Sequence, residues 1–152
     1  MSEYTHEYHL FHIRDLDGER TVLLEAATYS IGRDSSNALV INDLTVSRHH
    51  CLLIRVPAGQ DRYIYRLVDG NIQGADSTNG TRINLERHED KVLESRDFIQ
   101  LGEDTSIHYI VANMTPTEFA NYLDYSILDF HTVQDEALDP VGTVVSSNPL
   151  AA

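Results

Sequence analysis

Residues 50–56 read HCLLIRV, and this stretch carries the clearest secondary-structure signal in the chain. Its side chains are mostly branched and apolar, a composition that favours a β-strand. On a strand, the even-numbered positions share one face and the odd-numbered positions share the other. We therefore expect a strand with one face on a hydrophobic core, and we expect Cys51 to pack inside that core.

Similar short runs recur on both sides of this stretch, separated by turn residues. They lie at residues 8–15, 21–25, 28–31, 39–41, 63–68, 81–83, 98–101 and 106–111. The first two runs are joined through Leu16-Asp17-Gly18, and its Asp-Gly step suits a hairpin turn. Many short strands at close spacing predict an all-β sandwich or barrel.

The hydrophobic period changes at Thr115. Residues 115–118 read TPTE, a capping box with proline at the first helical position. An apolar stripe follows at helical spacing, formed by Phe119, Tyr122, Leu123, Ile127 and Phe130. The stripe has two possible uses: it docks on the sandwich, which we favour, or it enters a groove on a partner protein.

These patterns divide the chain into three expected parts. A β-domain covers residues 1–113, with its core at about 8–112, and an amphipathic helix covers residues 114–131. Residues 132–152 are polar, small and interrupted by proline, so we expect a flexible acidic tail there.

The chain has 152 residues and a net charge of −13. That acidic balance argues against general nucleic-acid binding, which depends on clustered Lys and Arg. No apolar run is long enough to cross a membrane, and the first nine residues do not resemble a signal peptide. A single cysteine permits no disulfide within the chain. We therefore expect a cytoplasmic protein, and nothing in the sequence implies a cofactor.

Three polar segments lie between predicted strands, where a rigid scaffold commonly presents binding residues. They are Gly32-Arg33, Ser47-Arg48-His49-His50 and Ser77-Thr78-Asn79-Gly80-Thr81. Each is common when taken alone, but in this order and spacing they resemble the forkhead-associated (FHA) domain. The pattern of that family runs Gly-Arg, then Ser-x-x-His, then Asn-Gly.

The resemblance covers about residues 8–112 and includes the closing FIQLG at residues 98–102. It implies an FHA-type, eleven-stranded β-sandwich of two twisted, largely antiparallel sheets. It also implies that the domain binds phosphothreonine on partner proteins. Residues 69–76, ahead of the Asn-Gly turn, form a longer segment than is usual in the family.

The resemblance assigns roles residue by residue. The side chains implied to contact the phosphate are Arg33, Ser47, Arg48 and Thr78, and Asn79 is implied to hold the peptide backbone. The positions implied to be architectural are Gly32, His50 and Gly80, with His50 bracing the loop that presents Ser47.

The residue types suit these roles on physical grounds as well. A guanidinium is a planar fork of donors that matches phosphate oxygens, and hydroxyls add short donors. An asparagine both donates and accepts, so it can pair with the backbone of an extended peptide. We therefore predict a non-enzymatic adaptor in Ser/Thr kinase signalling. The alternative is a structural or assembly scaffold whose FHA-like sandwich binds partners independently of phosphate.

Two other polar clusters are interpreted as ordinary. On a strand, His9 faces opposite to His6 and His12, so we predict surface residues there and no metal site. His49 lies near Ser47, but no nucleophile-elbow motif or triad order accompanies the pair, so we predict no catalytic site.

Thr132 is a possible phosphoacceptor, because Asp135 follows it by three residues and FHA domains favour such contexts. A phosphorylated Thr132 could bind the predicted site of its own chain or of a neighbouring copy. The alternative is that this spacing occurs by chance in an acidic segment.

Overall fold

The computed structural model describes residues 4–71 and 73–123. Within them the chain forms strands β1 His6–Asp15, β2 Gly18–Leu23, β3 Thr28–Gly32, β4 Leu39–Val40, β5 Cys51–Pro57, β6 Tyr63–Asp69, β7 Thr81–Ile83, β8 Glu86–Arg87, β9 Asp90–Val92, β10 Phe98–Leu101 and β11 Thr105–Met114. A helix, α1, occupies residues 116–123. The predicted remainder of the helix and the predicted tail lie outside the described residues.

The strands form two sheets that pack face to face. The six-stranded sheet has the order β2-β1-β11-β10-β7-β8, and the five-stranded sheet has the order β4-β3-β5-β6-β9. Strands β3 and β4 pair in parallel, and the other paired strands run antiparallel. The predicted all-β sandwich is thereby confirmed.

The hydrophobic core lies between the sheets and consists of alternate residues from each strand. On β5, Cys51 and Leu53 are buried in this core, whereas Leu52 and Ile54 are only partly buried on the opposite face. The largest fully buried side chains include Tyr65, Tyr109, Phe11, Ile13, Ile31 and Leu67. The predicted burial of Cys51 is confirmed, and burial raises the pKa of its thiol far above the ordinary range.

The prediction that His9 is a surface residue is wrong. Its side chain is fully buried, because β1 turns His9, Phe11 and Ile13 towards the core. The Nδ1 atom of His9 lies 2.6 Å from the hydroxyl of Tyr109, and its ring stacks on Tyr63 with centroids 4.5 Å apart. A histidine is tolerated here because both ring nitrogens have partners: besides Tyr109, the carboxylate of Glu7 at the edge of the core lies 3.2 Å from Nε2.

Helix α1 begins at the capping box and lies on the outer face of the six-stranded sheet. The Thr115 hydroxyl accepts the amide of Glu118 at 3.1 Å, and the Glu118 carboxylate accepts the amide of Thr115 at 2.8 Å. Phe119 stacks on Tyr8 with ring centroids 4.0 Å apart. The predicted helix start is confirmed, and its first apolar residue contacts the sandwich.

A second contact fixes the helix further along β1. The hydroxyl of Tyr122 lies 2.5 Å from Nε2 of His12, and Nδ1 of His12 lies 2.9 Å from the hydroxyl of Thr21. Leu10, between Tyr8 and His12 on this outer face, is fully buried. The described part of the helix therefore docks on the sheet, which is the use of the apolar stripe that the sequence favours.

Strands β8 and β9 are absent from the sequence-based assignment. Each is only two or three residues long and carries charged side chains, so neither shows a hydrophobic pattern. Tertiary pairing forms them: β9 pairs with β6, where Arg66 and Asp90 make a two-pronged ion pair.

In the residues that the structure describes, no helix has the length and hydrophobicity to cross a membrane.

Candidate functional site

The three polar segments meet at one end of the sandwich. Gly32 closes β3 and Arg33 follows it, residues 47–50 precede β5, and residues 77–80 precede β7. Hydrogen bonds join the three loops directly. The structure therefore brings together side chains that are up to 46 positions apart in the chain.

Arg33 is held by its own backbone and by one of its guanidinium nitrogens. Its amide donates to the carbonyl of Ser47 at 3.0 Å, and its Nε donates to the carbonyl of Val46 at 3.0 Å. Within the described part of the chain, the two terminal guanidinium nitrogens have no hydrogen-bond partner. A fixed guanidinium with two free terminal nitrogens is suited to bind an oxyanion.

Gly32 allows this loop to approach the next one closely. A Cβ atom at Gly32 would lie 2.2 Å from the carbonyl oxygen of Arg48, a distance that no side chain tolerates. The amide of Asp34 donates to the same carbonyl at 3.1 Å. Glycine is therefore required for packing at this position, and the packing sets the position of Arg33.

Ser47 and Thr78 join the second loop to the third. The amide of Thr78 donates to the Ser47 hydroxyl oxygen at 2.8 Å, which leaves the hydroxyl hydrogen of Ser47 available to a ligand. Thr78 is exposed, and its own hydroxyl makes no hydrogen bond among the described residues. Both hydroxyls can therefore donate to an anion held by Arg33.

His50 braces the same two loops from inside. Its side chain is fully buried, its Nδ1 accepts the amide of Ser47 at 3.0 Å, and its Nε2 donates to the carbonyl of Gly80 at 2.8 Å. Burial lowers the pKa of His50, so the ring is neutral near pH 7 with its proton on Nε2. The imidazole of His50 therefore links the loop that contains Ser47 to the Asn-Gly turn.

Asn79 lies at the exposed edge of the site. Its Nδ2 donates to the carbonyl of Thr45 at 2.6 Å. Its Oδ1 accepts no hydrogen bond from a described residue, so it can accept a peptide amide. Gly80 follows with φ of +79°, a conformation that favours glycine. A Cβ there would also approach the guanidinium of Arg87 within 2.8 Å.

Two carboxylates support the loops, the partly buried Asp69 and the buried Asp43, and sequence reasoning missed both. Asp69 accepts the amide and hydroxyl of Ser77 and the hydroxyl of Thr81, at 2.6–2.8 Å. Although burial opposes ionisation, these hydrogen bonds hold the pKa of Asp69 below its usual value. The available signal in the sequence was the position of Asp69 at the end of a strand, with Ser77 and Thr81 eight and twelve residues further along the chain.

The second carboxylate is Asp43, which accepts the hydroxyls of Thr45 and Thr105 at 2.5 and 2.8 Å. It also accepts the amides of Thr45 and Asp104. Its pKa is lowered because these donors outweigh the effect of burial. The spacing of Asp43 and Thr45, an Asx turn, was the local signal for this role.

Arg48 is exposed in the loop at residues 47–50 and makes no ion pair with a described residue. The carboxylate of Asp34 is already occupied by the amide and hydroxyl of Ser36, which lower its pKa. Among the described residues, no three or more His, Cys, Asp or Glu side chains are grouped to hold a metal ion. The described site therefore offers guanidinium, hydroxyl and amide groups for an anion and an extended backbone.

The family model of the FHA domain matches residues 29–102, and the chain belongs to this family. The crystal structure of the Slr1951 protein from Synechocystis is similar at a TM-score of 0.65 and 33% identity, over 67% of this chain and 96% of that one. A further solved FHA domain, studied for phosphothreonine-dependent interactions, has a TM-score of 0.55 and 28% identity, over 72% of this chain and 98% of that one.

Among curated proteins, the glycogen accumulation regulator GarA of Mycolicibacterium smegmatis is 34% identical over 83 residues, which is 53% of this chain and 45% of GarA. The chain spans half or less of the length of the curated relatives that it matches. The similarity therefore concerns the FHA domain, and it does not extend to the remainder of those proteins.

Proposed function

We propose that the protein is a non-catalytic adaptor in Ser/Thr kinase signalling. It binds a threonine of a partner protein, in the cytoplasm, after a kinase has phosphorylated that threonine. Arg33, Ser47, Arg48 and Thr78 hold the phosphate, and Asn79 holds the peptide backbone.

One observation carries this proposal. The guanidinium of Arg33 is fixed through Nε, while both of its terminal nitrogens are free, beside the available hydroxyl of Ser47. A phosphoryl group carries a charge of about −1.5 to −2 and three acceptor oxygens, so it matches these donors. Charge-assisted hydrogen bonds contribute roughly 1.5–3 kcal/mol each, and two or three of them support micromolar affinity.

The comparisons support the same function. The matched FHA domain was studied for phosphothreonine-dependent interactions, and GarA is a regulator. The competing hypothesis is a scaffold that keeps the FHA fold and binds its partners independently of phosphate. The two hypotheses differ in the effect of removing the phosphate from the ligand.

The test uses a degenerate peptide library with a fixed central threonine, in phosphorylated and plain forms. Binding is measured by calorimetry for the wild-type chain, Arg33→Ala and the control Arg14→Ala. Arg14 is exposed on β1 and makes no hydrogen bond among the described residues. We expect phosphate-dependent binding that Arg33→Ala weakens at least 100-fold, since it removes two charge-assisted hydrogen bonds. Arg14→Ala should bind like the wild type.

Equal binding of plain and phosphorylated peptides would support the scaffold instead. Thermal melting of both variants controls for folding. We expect Arg14→Ala to melt like the wild type and Arg33→Ala to stay folded with a slightly lower midpoint, because it loses the hydrogen bond from Nε to the Val46 carbonyl. Thr132 lies outside the described residues, and its phosphorylated form remains a proposed ligand of the same site. Titration with a phosphopeptide centred on Thr132 tests that proposal, and the absence of binding refutes it.

A further inference from the structure

A row of polar side chains crosses the outer face of the six-stranded sheet. The strand register aligns one residue from each strand, in the order Glu19, Arg14, Ser106, Gln100, Arg82 and Arg87. Arg82 and Gln100 each lie between buried residues on their strands, so their side chains point away from the core. Arg14 is two residues beyond His12, which contacts helix α1, so the row lies on the face that carries this helix.

The positive charge of the row is unmatched at its β7–β8 end. Arg82 and Arg87 lie directly opposite each other on these two strands, where like charges repel and destabilise the pairing. Within the described part of the chain, neither guanidinium makes an ion pair or a hydrogen bond, whereas Arg66 on β6 pairs with Asp90. An anion placed over the two arginines would therefore relieve their repulsion.

A buried acceptor beside the two arginines also lacks a partner. Gln100 lies opposite Arg82 in the register of β10 and β7. Its Oε1 atom is buried and accepts no hydrogen bond from a described residue. Buried polar atoms in folded proteins nearly always have a partner. A segment of chain lying across the row would supply both a donor to Gln100 and a negative charge to the arginines.

The chain itself contains a segment of the required charge. Residues 124–152 follow the described part of the chain and include five carboxylates and no Lys or Arg. Three of the carboxylates, Asp135, Glu136 and Asp139, are concentrated within five residues just beyond the predicted helix. This acidic segment, residues 135–139, complements the arginine pair in charge.

Helix α1 directs the chain towards the row. Phe119 stacks on Tyr8, and three residues later Tyr122 contacts His12, so the helix advances along β1 in the direction of Arg14. The end of the described chain therefore lies close to the row, and on the same face of the sheet.

The distance to the arginine pair is short enough for the acidic segment to reach it. From His12, Arg82 is two residues further along the strand direction and three strands across the sheet. These steps are roughly 7 Å and 14 Å, or about 16 Å in a straight line. Asp135 is twelve residues beyond Leu123, and twelve residues span about 18 Å even at the helical rise.

We propose that residues 135–139 of the unphosphorylated chain dock on the arginine pair, with their carboxylates on the guanidiniums of Arg82 and Arg87. Because the segment is tethered to the same domain, its effective concentration is of the order of millimolar, which favours it over an acidic segment of another molecule. Nε of Arg87 would lie 2.8 Å from a Cβ added to Gly80, so the docked segment borders the Asn-Gly turn. The inference does not depend on the proposed function.

The test places a nitroxide spin label on the acidic segment of the full-length, unphosphorylated chain. Ala137→Cys supplies the attachment point. Cys51 is not labelled, because it is buried and burial raises the pKa of its thiol. The label weakens the NMR signals of backbone amides close to it. We expect the strongest loss of intensity on β7 and β8.

Three sets of variants identify the contact. Arg82→Gln and Arg87→Gln are made singly and together, and the double variant should lose the effect on β7 and β8. Arg96→Gln is the matched control, because Arg96 is exposed in the turn before β10 and makes no ion pair with a described residue. Arg33→Ala controls for docking in the candidate phosphate site. Both controls should retain the effect, and about 1 M salt should abolish it, because the Debye length is then about 3 Å.

An absent effect, or one that the double variant retains, overturns the inference. An effect that Arg33→Ala removes would place the segment in the candidate phosphate site and would also overturn it. A mixture of isotope-labelled chain without nitroxide and spin-labelled chain without isotope reveals contact between two copies, and signal loss there would overturn the inference as well. If the double variant is unfolded, Arg87→Gln alone decides, since Arg87 is exposed on β8.

Discussion

The loop end of the sandwich and the helix-covered face of the six-stranded sheet use their side chains in opposite ways. At the loop end, Arg33 and Ser47 are fixed by part of their hydrogen-bonding capacity and keep the remainder free. On the helix-covered face, Phe119 and Tyr122 find ring and hydrogen-bond partners on β1, and Leu10 is fully buried.

This difference separates binding from stability. A donor that is held but unpaired contributes to a ligand's affinity, because only the ligand completes its hydrogen bonds. A buried, fully partnered contact contributes to the free energy of unfolding. Substitutions at the two regions should therefore change different measured quantities, and four experiments test that separation.

The largest effect is expected at His50, which belongs to the loop end and yet is buried. His50→Ala removes the partners of the Ser47 amide and the Gly80 carbonyl and leaves a cavity. We expect the free energy of unfolding to fall by about 3–4 kcal/mol and phosphopeptide affinity to fall as well. Urea unfolding and calorimetry measure the two quantities. An unchanged unfolding midpoint would show that the loops hold their geometry without this brace.

Phe119→Ala tests the helix-covered face. It removes the ring stacked on Tyr8, and since Phe119 is only partly buried we expect a loss of about 2–3 kcal/mol in the free energy of unfolding. Affinity for phosphothreonine peptides should not change. The control is Ala120→Ser, an exposed substitution on the same helix. If Phe119→Ala weakened binding, the two regions would be coupled and the comparison would fail.

The pH dependence of unfolding sharpens the same comparison. Burial, with a smaller effect of His108, lowers the pKa of His12 to about 4. The unfolded chain then binds more protons than the folded one between about pH 6.5 and pH 4, so stability falls as the pH is lowered through this window. From pH 7 to pH 5 we expect His12 to account for about 2 kcal/mol. His12→Gln should show a shallower slope, and equal slopes for both proteins would contradict this assignment.

The smallest effect is expected at the helix cap. Thr115→Ala removes the acceptor of the Glu118 amide and should lower the free energy of unfolding by about 1 kcal/mol. The control is Thr117→Ala, an exposed substitution two residues further along, which should lower it by less than about 0.5 kcal/mol. Thermal melting distinguishes the two. A cost as large as that of Phe119→Ala would mean that the cap, and not the ring contact, fixes the helix.

Much of the fold was predictable because its strands carry local patterns. The alternation in residues 50–56, the Asp-Gly step of the first hairpin and the TPTE cap each reflect a physical preference of a few neighbouring residues. Strands β8 and β9 have no such pattern and form only where another strand supplies hydrogen-bond partners. The burial of His9 was likewise hidden, because it depends on the hydroxyl of Tyr109, 100 positions away.

The candidate site divides in the same manner. The polar segments containing Arg33, Ser47 and Asn79 stood out in the sequence, and the structure places them together. Asp43 and Asp69, which hold those loops, are marked in the sequence only by weak local signals, because donors such as Thr105 and Thr81 lie 62 and 12 positions away from them.

The sequence by itself determined the strand pattern, the helix start and the residue types available to a phosphate, because each depends on short-range chemistry. Tertiary structure decided which of those residues keep free donors, which face the helix covers and which side chains line up across the outer face of a sheet. These properties arise from contacts between segments that are distant in the chain. Strand pairing and loop packing bring such segments together, and local sequence does not specify the resulting distances.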